Sequence, residues 1–116
     1  MTRHDPRARL RHMLDHAQEA VEMLGDKTEA DVAQDRKLEL ALVRLVEVVG
    51  EAAAQVPTEF RDAYPELPWR EATSMRNMLI HGYDLVRYDI LCNTIRYDLP
   101  PLIEQLKETL ATLGDT

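Results

Sequence analysis

Apolar residues recur every three or four positions through most of this chain, a period that predicts helices and not strands. The first stripe is Leu10, Met13, Leu14, Ala17, Val21 and Leu24. Asp5 is a suitable N-cap before it, Pro6 suits the first helical position, and Gly25 suits a C-terminal stop. A helix over Pro6–Leu24 is therefore predicted. A second stripe, Leu38, Leu42, Leu45, Val49, Ala52 and Val56, predicts a long helix over 29–56, opened by a capping pair, Thr28 and Asp31, and ended by Pro57. Leu40, Val43, Val46 and Val48 widen that stripe and predict burial on more than one side. Gly50 lies inside it, where glycine costs up to ~1 kcal/mol relative to alanine, so a close backbone approach is expected there.

Prolines punctuate the second half. A helical turn is predicted over Thr58–Ala63, and Pro65 and Pro68 bracket a loop. A further helix is predicted from Pro68 through Trp69, Ala72, Met75, Met78 and Leu79 to Gly82. The last helical region covers 87–113, with Leu102, Ile103, Leu106, Leu110 and Leu113 as its stripe. Pro100 and Pro101 lie within it, so it is either one kinked helix or two helices meeting at Asp98. The sum is an all-α, up-and-down bundle of four to five helices in a single domain spanning 1–116.

Composition narrows what such a bundle can do. The 116 residues carry a net charge of −7, which excludes general polyanion binding, because bulk nucleic-acid affinity comes from neutralising phosphates with Lys and Arg. Any RNA contact must be local and rest on a few arginines, and the acidic surface suits a basic protein partner. The one cysteine, Cys92, sits in an apolar run and reads as a buried reduced thiol. No apolar stretch reaches the ~20 residues of a membrane span, and residues 1–5 lack an apolar signal core. A cytoplasmic location is expected. His12 and His16 stand at i,i+4 without a convincing third metal ligand, so they read as a solvated face, and no metal or cofactor is expected. Arg3, Arg7, Arg9 and Arg11 form a basic cluster, and Trp69 reads as core.

The chemistry concentrates in Met75-Arg76-Asn77-Met78-Leu79-Ile80-His81-Gly82-Tyr83. A histidine at a helix C-terminus keeps a pKa near neutrality, as acid–base work requires. An arginine can clamp a phosphate bidentately and stabilise charge in a transition state. Positions i and i+5 on one straight helix point about 140° apart. Arg76 and His81 therefore converge only if the helix ends at His81 or if two copies face each other across a two-fold axis.

This segment resembles the R-x4-H-x-Y signature of HepT-like HEPN proteins. Val49-Gly50-Glu51-Ala52-Ala53 is similar to the I-G-E-A-A run of that family, and Asp98-Leu99-Pro100-Pro101-Leu102 to its D-L-P-x-L run. The resemblance implies a helical HEPN homodimer that cleaves RNA without a metal at the dimer cleft. Arg76 would stabilise charge and His81 would act as acid–base, with Asn77 in support. Glu51 is implied as a carboxylate near the cleft, partnering Arg76 or joining the site. The resemblance further implies the toxin of a type II HEPN/MNT toxin–antitoxin system. Its minimal nucleotidyltransferase antitoxin would transfer AMP to Tyr83. The alternative function is a non-catalytic helical module that binds and regulates a nucleotidyltransferase partner.

Overall fold

The computed structural model describes residues 5–77 and 87–114. Helix α1 spans Pro6–Leu24, α2 Glu29–Ala33, α3 Arg36–Ala54, α4 Thr58–Ala63 and α5 Trp69–Ser74. A 3₁₀ turn, Met75–Asn77, continues α5. After the segment 78–86, α6 covers Tyr88–Asn93, a π-turn covers Thr94–Asp98, and α7 runs over Leu99–Thr112. Among the described residues there is no strand, and the all-α reading holds. No helix among them is long and apolar enough to cross a membrane.

The long helices form where their caps and stripes place them. The Asp5 carboxylate accepts from the Arg7 amide, and the Gly25 amide closes α1 on the Val21 carbonyl. Residues Leu10, Met13, Ala17, Ala20 and Leu24 of α1 face α3 and α7 across one shared core. Leu42, Val46 and Val49 of α3 and Leu102 and Leu106 of α7 complete its centre, each at most 1% exposed. Cys92 is buried in the same core, and burial raises its thiol above the ordinary value.

Three expectations need correction. The helix expected over 29–56 is broken into α2 and α3. Thr28 and Asp31 do form a reciprocal capping box over α2. Asp35 then caps a new helix, its carboxylate accepting from the Leu38 amide at 3.1 Å. Leu40, expected to widen the buried stripe, is 51% exposed. The helix expected over 68–82 is α-helical only to Ser74 and tightens to 3₁₀ at Met75–Asn77; the remainder of that expected helix lies outside the described residues. The last region takes the first of its two alternatives, one continuous helical run, with a π-turn over Thr94–Asp98. Pro100 and Pro101 have no amide hydrogens, so the ordinary α ladder cannot continue into them. The chain absorbs this by widening, with the Leu99 amide donating to the Thr94 carbonyl, and stays helical throughout.

Helix α6 is tied to α3 by one polar contact. The Tyr88 hydroxyl donates to Glu39 at 3.0 Å, and Glu39 is a buried side chain on α3. That bond, reinforced by burial, holds the Tyr88 phenol above its ordinary value of 10.0. A folded-state value raised in this way adds stability that is complete below the unfolded value and fades as pH rises through the folded one. Tyr88→Phe is thus expected to lower unfolding free energy by about 1 kcal/mol near neutral pH, with the difference from wild type shrinking at strongly alkaline pH. Urea denaturation at both pH values measures it, and a constant difference would show that the hydroxyl is not the cause.

Candidate active site

The arginine singled out by the sequence is positioned by a glycine 26 residues earlier. A Cβ built on Gly50 would collide with the Arg76 amide nitrogen and lie 2.9 Å from both the Arg76 Cα and the Met75 carbonyl carbon. The 3₁₀ turn therefore rests directly on the backbone of α3, which only glycine permits. Met75 turns inward and is buried, while Arg76 and Asn77 are exposed. The expectation of close backbone packing at Gly50 is met, and its partner is the site itself.

The approach to the turn is fixed by aromatic packing. Trp69 opens α5, and its indole N–H donates to the Tyr64 carbonyl at 2.9 Å. Phe60 stacks on Tyr64 at 4.6 Å between centroids and meets Trp69 edge-on at 6.4 Å. Trp69 is half-buried against the core, as the sequence suggested. This trio holds α4 against α5 and leaves an open groove of about 720 Å³ beside the 3₁₀ turn.

Arg76 and Asn77 line that groove together, and so do Arg61 of α4 and Arg70 and Thr73 of α5. Trp69, Thr73 and Arg76 are spaced i, i+4, i+7, which puts them along one side of α5 and its continuation. Asp62 is the one carboxylate among the described residues of the lining. No described residue hydrogen bonds or pairs with the guanidiniums of Arg61, Arg70 or Arg76. Three cations facing one carboxylate make this a local positive site on an acidic chain, and an anion such as phosphate is the ligand its chemistry suits.

The remaining site residues divide. His81 and Tyr83 lie outside the described residues. Glu51, implied as a partner of Arg76 or a member of the site, is paired with Arg44 instead among the described residues. It is exposed on α3, 3.6 Å from Arg44, and that ion pair is its only one among the described residues. In the N-terminal basic cluster, Arg7 is tied to Asp5 at 3.1 Å, and Arg3 lies outside the described residues. His16 Nδ1 sits 2.7 Å from the His12 carbonyl, so this ring nitrogen is engaged with backbone.

Arg61, Arg70 and Thr73 carried no signal in the sequence. Residues 58–77 hold three arginines and four carboxylates, a stretch without basic character. The groove is positive only because folding turns Glu59, Glu66 and Glu71 out of its lining.

A family model described as Ribonuclease HepT-like matches residues 13–109. A candidate RNase of Caldanaerobacter subterraneus subsp. tengcongensis is 38% identical over 105 residues, covering 90% of this chain and 94% of that protein. A probable ribonuclease HepT of Thermococcus cleftensis is 37% identical over 93 residues, covering 77% of this chain and 84% of that one. A candidate RNase of Methanocaldococcus jannaschii is 30% identical over 110 residues, covering 95% and 91%. No solved structure matches.

Gly50→Ala is expected to force the 3₁₀ turn away from α3. Overpacking of this kind costs about 1–3 kcal/mol, read as a lower urea midpoint. An unchanged midpoint together with an unchanged crystal position of Arg76 would refute the contact.

Proposed function

The chain belongs to the ribonuclease HepT-like family and is a ribonuclease; from that premise we propose that it is a metal-independent RNA endonuclease acting through Arg76 and His81. The observation that carries the proposal is the placement of Arg76: backbone fixed on α3, guanidinium exposed and unpaired among the described residues, in a groove shared with two further arginines.

Chemistry fits this arrangement. RNA supplies its own nucleophile, the 2′-hydroxyl, so strand cleavage needs a phosphate clamp and proton transfer but no activated water. Arg76 offers two parallel N–H donors to the phosphate oxygens and stabilises the charge that grows on them as the 2′-oxygen attacks. His81 is assigned the proton transfer, most simply to the departing 5′-oxygen. Asn77 stands beside Arg76 in the groove and can donate to the same phosphate. As the 2′-oxygen bonds to phosphorus its proton passes to solvent water, and the P–O5′ bond breaks with the proton from His81 going to the 5′-oxygen, so the expected first product ends in a 2′,3′-cyclic phosphate.

The biological setting belongs to the same proposal. We assign the chain as the toxin of a type II system, active as a homodimer whose two-fold axis brings Arg76 of one copy toward His81 of the other. A nucleotidyltransferase antitoxin would silence it by placing AMP on Tyr83, two residues from His81 and seven from Arg76. A nucleotide monophosphate there adds negative charge and volume where the substrate phosphate must sit.

The experiment is cleavage of RNA by purified protein in EDTA. Arg76→Ala and His81→Ala should each lower kcat by about 10²–10³, with melting temperature unchanged, and Gly50→Ala should lower it by displacing Arg76. Full activity in both Arg76→Ala and His81→Ala would remove the catalytic assignment. Incubation with ATP and the neighbouring gene's product should add the mass of AMP to the Tyr83 peptide; an unaltered mass argues against that control.

A further inference from the structure

Resting on the ribonuclease reading, we propose that Arg61 and Arg70, with Thr73, hold the ribose-phosphate backbone of the RNA strand next to the phosphate bound at Arg76. Three of the chain's 14 cationic side chains line one groove of a protein with net charge −7, and all three are arginines. Arginine is the side chain whose planar fork matches phosphate oxygens. Arg61 lines the groove from α4, Arg70 from α5 and Arg76 from the 3₁₀ turn, so each of these elements supplies it with a cationic group.

A second observation points to a ligand independently of charge. The Arg61 Nε and the Thr73 Oγ1 are both covered by neighbouring atoms, yet neither has a hydrogen-bond partner among the described residues. Covered polar groups are normally partnered. Two unmet groups in the lining of one groove, one a charged donor and one a hydroxyl, are what a phosphate oxygen and a ribose hydroxyl would satisfy after a small side-chain rotation. The walls themselves are stiff, because Trp69 is pinned to the Tyr64 carbonyl and packed on Phe60.

Backbone contacts position a strand without reading its bases. These residues are therefore positioning and binding groups, separate from the chemistry at Arg76, and their removal should act on KM more than on kcat. The test compares wild type with Arg70→Gln and with Arg61→Gln/Arg70→Gln on a single-stranded RNA, across salt concentrations. The double variant should raise KM about tenfold or more at low salt with kcat within about twofold, and flatten the slope of log(1/KM) against log[salt] by about 0.7 per arginine removed. Arg61→Lys should restore part of the loss. Arg70 is exposed, so Arg70→Gln carries the test alone if the double variant fails to fold. Wild-type KM and slope in Arg70→Gln and the double variant would overturn the groove assignment while leaving the ribonuclease intact. A fall in kcat at constant KM would also overturn it. If wild type cleaves nothing, the ribonuclease reading fails on its own, and fluorescence anisotropy of a labelled RNA still reads whether the variants weaken binding.

Discussion

The site depends on a contact in which no side chain takes part from one side: the backbone of α3 at Gly50 against the backbone of the 3₁₀ turn at Arg76. Backbone-to-backbone contact is the closest that two helical segments can make, and it leaves little freedom for adjustment. It sets how far Arg76 stands from the core and which way the turn must face. Met75 locks the inward side, and the guanidinium is left on the outward one. An exposed arginine usually spreads over many rotamers, but here its Cα at least is fixed in place, which is what a phosphate clamp needs.

The groove beside that turn shows how an acidic protein can still present a cationic surface. Charge along the chain is mixed between 58 and 77, and the acids outnumber the arginines. Folding separates them, with α4 and α5 facing each other across the Phe60, Tyr64 and Trp69 cluster. Among the described residues, only Asp62 follows the arginines into the lining. The surrounding acidic surface repels a polyanion elsewhere, so the same charge distribution that weakens general affinity also favours one orientation of approach.

What was legible in the sequence was local. Asp5, Thr28 and Asp31 accept from amides, and the Gly25 amide donates to a carbonyl, all within four residues of themselves, and each capping role was readable from residue type and spacing. Gly50 was legible as an anomaly, a costly residue inside an apolar helix, although its partner was not. The restart at Asp35 was hidden because Gln34 to Lys37 are all compatible with a helix interior. The π-turn was hidden because the prolines announce a break without saying whether the helix bends, stops or widens. Glu51 misled because its neighbours are apolar, while the side chain itself reaches outward to Arg44. Arg76 and Asn77 were found from the motif, and Arg61, Arg70 and Thr73 were not, because only tertiary packing brings α4 and α5 to one surface.

Helix α3 also carries Glu39, the acceptor for Tyr88. Glu39 and Gly50 are eleven residues apart, about three full turns, so they stand on nearly the same line of the helix, roughly 16 Å from each other. One of them seats the chain just before residue 78, and the other seats it just after residue 86. A single rigid rod therefore serves as the gauge for both ends of the stretch that contains His81 and Tyr83. A lesion anywhere along that rod, even one touching neither Gly50 nor Glu39, would be felt at the spacing between Arg76 and Tyr88.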